Sequence, residues 1–373
     1  MNKNILVNYL GRKGGTALYS FEMVKGLIEN GASVYGIISN QNEMLEEWKK
    51  LNLKKLIIVP TYSGKISCLI ATIKFLLKNR YKIKDEFKNL NIDVVYVPAF
   101  HIWSEYINEL FPNAKKIITN HDPLPHSGNI LKNKLIWIYN KRSLKKANDI
   151  ILLSEKFKII VSKLYNKKLE NVHVIPHGIF DFYNSFKVEK NSMYSKEKIN
   201  FIFFGRIERY KGLHILAKAY ELLYKKYKDI TLTVIGNGNF SEYEKEYAKL
   251  EGVTVINRWI KDEEVKYFFT GDNIITVLPY LDATQSGVIN IAMMNKSLVI
   301  ATNTGGIGEQ VKNKETGLLI APNNVNELVD AMEYAIKNKI ECKQYIDNAS
   351  KMLSILDWKN LSKNLLEIIN REK

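Results

Sequence analysis

The sequence predicts an α/β protein made of two doubly wound, parallel-sheet domains facing each other across a cleft. Three observations lead there. Apolar, β-rich runs alternate with longer helical patterns almost without interruption, the pattern of β–α–β units whose sheet is covered on both faces. At 373 residues the chain is too long for one ordinary core. Midway, residues 181–198 (DFYNSFKVEKNSMYSKEK) lose any clear period and turn polar, as an interdomain linker would. The expected domains are residues 1–182 and 183–356, with a terminal helical stretch, 357–373, crossing back to the first.

In order along the first domain, the strand candidates are ILVNYL, ASVYGIIS, KLIIVP, VVYVPA, KIITNH, DIILLS and VHVIPH. The second supplies INFIFFG, ITLTVIG, VTVINR, NIITVLPY, SLVIATN and ETGLLIAP. Each is a short apolar run rich in β-branched or aromatic residues and bounded by polar or turn residues. Ligands of such sheets bind beyond the carboxyl ends of the strands, so the loops there are where chemistry is expected.

Composition narrows the function classes. A hydrophobic content of 46% without extreme bias fits a globular protein. Cys68 and Cys342 are the only cysteines, which excludes a disulfide framework and favours a reducing, cytoplasmic location. The N-terminal apolar run is only six residues long, so it reads as a first strand and not as a signal-peptide core. The net charge of +16 is uneven: residues 1–186 hold 28 Lys or Arg against 15 Asp or Glu, and residues 187–373 hold 27 against 24. Two of the basic stretches, 65–84 (KISCLIATIKFLLKNRYKIK) and 130–147 (ILKNKLIWIYNKRSLKKA), are also rich in aliphatic and aromatic residues. Such segments can lie on an anionic membrane with their cations among the headgroups; a core-packed helix with a basic outer face is the alternative. No nucleic-acid-binding motif accompanies the charge.

The most informative motif spans 199–219 (INFIFFGRIERYKGLHILAKAY). A strand ends at Gly205, Arg206 and Lys211 follow, and Gly212 opens an amphipathic helix. A guanidinium fork, a compact ammonium and a helix N-terminus together suit a diphosphate. Solvated surface cations are the plainer alternative. Gly14 and Gly15, in the GRKGGT loop after the first strand, free the backbone to approach an anionic group, or simply make a tight turn. GNGN at 236–239 lacks the spacing of a dinucleotide fingerprint. His121 opens the proline-fixed segment HDPLPHSG, which also holds Asp122 and His126. His121 could polarise a substrate hydroxyl and His126 could face an acceptor, although a histidine at a strand end often only caps backbone. His101, His173 and His214 read as structural or peripheral.

GRIERYKG, the GRKGGT loop, LLSEKFK at 152–158, VIPHGIFD at 174–181 and VIATNTGGIGE at 299–309 together resemble glycosyltransferase family 4, in register over nearly the whole chain. The resemblance implies a GT-B fold of two Rossmann-like domains, an acceptor site in the first and a nucleotide sugar in the second. It further implies sugar transfer with retention of configuration, no metal ion and no cofactor beyond the donor itself. By the same resemblance Arg206 and Lys211 would neutralise the leaving diphosphate, the Gly14–Gly15 loop would close over it, and His121 would sit beside the donor sugar.

One segment departs from the family pattern. Most members carry two glutamates separated by seven residues after the strand ending in Pro279; here the segment reads PYLDATQSGVINIAMMNKSLVIATN, without either. Asp282 and Asn290 have the right separation, whereas matching on Gly287 puts Thr284 or Gln285 at the first position and Ile291 or Ala292 at the second. We prefer the second register, because Ser286, Gly287 and Val288 then open a helix as an anion-binding N-terminus, with Gln285 placed to bond a sugar hydroxyl. The expectation is a hexosyltransferase acting on a carbohydrate, lipid-linked acceptor in cell-surface polysaccharide synthesis, peripherally attached to the inner membrane face. A nucleotide-sugar epimerase or a degenerate sugar-nucleotide-binding protein is the alternative.

Overall fold

The computed structural model describes residues 3–124, 140–188, 193–271 and 273–371. They fall into two compact units, the first running to Gly178 and resuming at Leu356, the second spanning Ile179–Ile355.

The first unit holds seven parallel strands: β1 (Asn4–Tyr9), β2 (Ser33–Ser39), β3 (Lys55–Val59), β4 (Val94–Val97), β5 (Lys115–Thr119), β6 (Asp149–Leu152) and β7 (Val172–Val174). Their order is β3-β2-β1-β4-β5-β6-β7, so the winding reverses between β1 and β4. Helices cover both faces, which is why Leu6, Val7, Ile37, Val95, Ile118 and Ile150 are all buried although neighbours along a strand point to opposite sides. Helix Gly15–Glu29 follows β1 and packs against the C-terminal helix Trp358–Asn370. Gly26 permits that approach, since a Cβ there would lie 2.5 Å from the Trp358 carbonyl oxygen. Asn30 donates to the Lys359 carbonyl and the Ser362 hydroxyl. Lys3 and Lys115 donate to the carbonyls of Ile369 and Ile368, both at 2.7 Å, satisfying orphan acceptors of the last turn.

Lys115 is itself buried and paired with Asp149 at 2.9 Å; the other Asp149 oxygen lies 2.8 Å from His173 Nε2. Burial alone would raise the Asp149 carboxyl, but the hydrogen bonds from His173 and Lys115 outweigh it and hold the group below its ordinary value.

The second unit repeats the design with β8 (Ile199–Phe204), β9 (Ile230–Gly236), β10 (Val253–Asn257), β11 (Ile274–Leu278), β12 (Leu298–Thr302) and β13 (Leu318–Ile320), ordered β10-β9-β8-β11-β12-β13. Here the reversal falls between β8 and β11. Part of the stretch expected to be a featureless linker is folded: Asp181–Ser185 forms a 3-10 turn in which Tyr183 reaches Asp262 at 3.4 Å. Its local aromatic contacts, such as Phe180 with Tyr183 at 5.7 Å, replace the missing period.

Candidate active site

In the second unit the site grows from the carboxyl ends of β8 and β11, the two strands at the reversal. After β8 the chain passes through Gly205, Arg206 and a 3-10 turn, Arg209–Lys211, into helix Leu213–Lys226. Gly212 joins them with φ +72°, and a Cβ on it would lie 1.9 Å from the Pro279 carbonyl oxygen just beyond β11. The two loops are therefore in backbone contact, fastened by Leu281 N–H donating to the Tyr210 carbonyl at 2.7 Å. Lys211 Nζ stands 3.6 Å from the centre of the Tyr280 ring and 4.9 Å from that of Tyr210. Both rings offer the ammonium a π face. Arg206 is largely exposed and forms a surface ion pair with Glu208 at 3.6 Å, a kind of pair worth little in water.

The β11 loop leads into helix Gly287–Met294. Gln310 fixes its start: its side-chain oxygen accepts from Ser286 N–H at 2.8 Å and its amide donates to the Ser286 carbonyl at 3.0 Å. Gly305, at φ +52°, presses against the Ala283 carbonyl, and Gly306 N–H donates to Thr284 at 3.0 Å, so the β12 loop clamps the same segment. Burial raises the Tyr280 phenol and keeps it protonated, 3.3 Å from the Ser286 hydroxyl. The N–H groups of Gly287 and Val288 make no hydrogen bond among the described residues, as the first donors of a helix should not. A Cβ on Gly205 would lie 4.0 Å from the Val288 side chain, which puts the end of β8 against this helix start. Gln285 Oε1 is buried without a hydrogen-bond partner among the described residues. Arg206, Lys211, Gln285, Ser286, Gly287 and Val288 thus share one locality, with two cations and two N–H donors that make no hydrogen bond among the described residues.

The first unit has its own loop cluster. Gly14 takes φ +82° ahead of helix Gly15–Glu29, yet its N–H donates to the Glu43 carboxylate, so the anion-facing position foreseen for this loop holds an internal carboxylate. Beside it, Arg12 donates to the Tyr62 carbonyl at 2.6 Å with its guanidinium 5.5 Å from that ring, and the Tyr62 and His101 rings lie 5.7 Å apart. Burial, with the Arg12 charge, pushes His101 down to about 4. His101 was read as structural or peripheral in the sequence; folding places it at the carboxyl edge of the sheet with a cation and a phenol.

His121 follows β5. Its Nε2 donates to the Pro98 carbonyl at 2.8 Å, and its ring meets Tyr19 edge-on at 4.6 Å. Burial lowers its pKa, against the opposing influence of that hydrogen bond and of Asp122. The imidazole is therefore neutral near pH 7 with Nδ1 as an acceptor, suited to a sugar hydroxyl. Asp122 is exposed beside it, and His126 lies outside the described residues. Sequence reading passed over His177, which is buried against Tyr19 and Trp358 and pushed down to about 4 by burial. It stands after β7 as His121 stands after β5, and that shared placement was the available signal.

Among the described residues no three His, Cys, Asp or Glu side chains converge as a metal site would require. No helix of those residues is long and apolar enough to cross a membrane.

Residues 13–180 match Glycosyltransferase Family 4, and residues 185–352 match Glycosyl transferases group 1. The chain belongs to glycosyltransferase family 4. A relative from Haemophilus influenzae, described as an uncharacterized glycosyltransferase, is 24% identical over 94% of this chain and 97% of its own. O-antigen chain mannosyltransferase C of Escherichia coli is 24% identical over 76% of this chain and 75% of its own. Among solved structures, Anabaena HepE in complex with UDP-glucose superposes with a TM-score of 0.75 at 16% identity, covering 98% of this chain and 99% of that one. This family 4 glycosyltransferase accordingly has the GT-B fold. Gln285 and Ser286 immediately precede helix Gly287–Met294, in a segment that carries no glutamate.

Proposed function

We propose that this glycosyltransferase moves a hexose-type sugar, with retention of configuration, from a nucleotide diphosphate to a lipid-linked carbohydrate during cell-surface polysaccharide synthesis. The observation that carries the reading is the meeting of Arg206, Lys211 and the open N–H groups of Gly287 and Val288 at the strand-order reversal of the second unit. The printed activity of the Escherichia coli relative and the UDP-glucose held by HepE support the substrate classes.

Cleaving a glycosyl phosphate bond builds negative charge on the departing diphosphate and oxocarbenium character on the sugar. Fixed positive groups that meet the first lower the barrier. Arg206 and Lys211 supply that charge in this proposal, so the reaction needs no metal ion. Gln285, whose buried oxygen has no hydrogen-bond partner among the described residues, accepts from a sugar hydroxyl. In the first unit, neutral His121 offers Nδ1 to a substrate hydroxyl, and the Arg12–Tyr62–His101 cluster receives the acceptor. Nucleotide release from a panel of UDP-, GDP- and ADP-sugars tests the proposal. Turnover of one donor should fall at least about a hundredfold in Arg206→Ala and in Lys211→Ala, as expected for lost charge stabilisation; unchanged kinetics in both would refute it.

A further inference from the structure

Residues 65–86 form one continuous helical rod in the first unit: α-helical over Lys65–Lys74, a π turn over Phe75–Asn79, and α-helical again over Arg80–Glu86. Its inner side is firmly held. Phe75 and Ile83 are buried in the core, Trp103 stacks on Phe75 at 4.5 Å, and Trp103 Nε1 donates to the Thr72 hydroxyl at 3.0 Å.

The outer side carries Leu69, Ile73, Leu77 and Tyr81, exposed by 68%, 50%, 74% and 64%. Steps of four on an α-helix precess by about 40° each, because 3.6 residues complete a turn. Three such steps would carry the last residue about 120° around the rod. The wide π turn, closed by Arg80 N–H bonding to the Phe75 carbonyl, offsets part of that drift and so brings the four side chains nearer a single file. It also keeps Phe75 and Ile83 on the buried side. Next to the apolar file runs a second one, Lys74, Lys78 and Lys82, all exposed and without an ion pair to a described residue. No acidic residue occurs between positions 65 and 84.

We propose that this face is the surface by which the enzyme docks on an anionic lipid bilayer, the apolar file entering the interface and the lysine file meeting phosphate headgroups. Charge decides the occupant. A second copy pairing symmetrically through the stripe would bring two lysine files together, which like charge opposes, whereas anionic headgroups complement them. Tyr81 adds an amphipathic side chain suited to that boundary. The Trp103–Thr72 bond ties the rod to the loop that bears His101, so docking would hold the acceptor-side cluster near the lipid surface. That last consequence rests on the acceptor assignment above; docking itself does not.

Flotation of the full chain with vesicles tests the proposal by reading lipid binding and not turnover, so its failure leaves the transferase reading standing. The chain should float with mixed phosphatidylcholine–phosphatidylglycerol vesicles, stay behind with phosphatidylcholine alone, and be released by added salt. Each of Lys74→Ala, Lys78→Ala and Lys82→Ala should weaken partitioning about fivefold. Replacing Leu69, Ile73 and Leu77 together by Ser should abolish flotation while leaving the melting temperature unchanged, because these side chains lie outside the core. Absence of flotation with anionic vesicles, or flotation indifferent to these variants, would overturn the proposal. So would a lipid-free dimer that Leu77→Ser dissolves.

Discussion

Replacing Gly212 by Ala should damage stability and donor use together, and the structure gives the size of both effects. The residue has φ +72°, a conformation costing a side-chain-bearing residue about 1–2 kcal/mol. The new methyl would start 1.9 Å from the Pro279 carbonyl oxygen, where a carbon–oxygen contact needs about 3.3 Å, so the β8 and β11 loops must part by more than about 1 Å. Lys211 precedes Gly212, and Tyr280, on whose ring its ammonium rests, follows Pro279, so the cation moves with the loops. A misplacement of about 1 Å in a catalytic constellation costs on the order of a hundredfold in rate. Differential scanning calorimetry should show a melting temperature lower by a few degrees, and kcat/KM for the donor should fall about a hundredfold. Gly64→Ala serves as the control, since its Cβ would meet only the Ser67 hydroxyl at 3.8 Å. A Gly212→Ala protein with the wild-type melting temperature and donor kinetics would refute the claim that backbone contact between these loops positions Lys211.

Asp149→Asn should cost about 3–5 kcal/mol in urea unfolding, because it leaves Lys115 buried without its carboxylate. The same ion pair makes the wild type acid-sensitive. With the folded-state carboxyl below its ordinary value, its stabilisation is present above the unfolded pKa near about 4 and is lost as pH falls through the folded one. His177 acts in a higher window. Its folded pKa of about 4 lies below the unfolded value, so the unfolded chain takes up the proton first and stability drops progressively from about pH 6.5 to about 4. A thermal-melt series across that range should show a shallower slope in His177→Asn. Gly26→Ala should lower the melting temperature by forcing helices Gly15–Glu29 and Trp358–Asn370 apart, and should expose the C-terminal helix to limited proteolysis.

Much of the fold was legible because a sheet covered on both faces leaves apolar, β-branched runs such as ILVNYL and INFIFFG, and each such run became a strand. Arg206 and Lys211 were legible for a related reason: they sit where one of those runs meets a glycine and an amphipathic helix. What escaped depends on contacts distant in sequence. Glu43 reaches Gly14 across 29 positions, and His101 meets Arg12 and Tyr62 only when the ends of β1, β3 and β4 come together. The seat of Lys211 on Tyr280 is equally invisible before folding. Residues 181–185 lack hydrophobic period, but their aromatic contacts fold them into a turn. The basic apolar segment at 65–84 was noticed for its composition. The π turn that offsets part of the drift of its exposed file has no signature of that kind.

The central claim, that the second unit grips the pyrophosphate of a sugar nucleotide with a guanidinium, an ammonium and a helix start, is tested most directly by a crystal of the full chain soaked with UDP or GDP. The account predicts phosphate oxygens within hydrogen-bonding distance of Arg206, Lys211 and the N–H groups of Gly287 and Val288. A nucleotide lodged elsewhere, or a site still empty at saturating concentration, would contradict it.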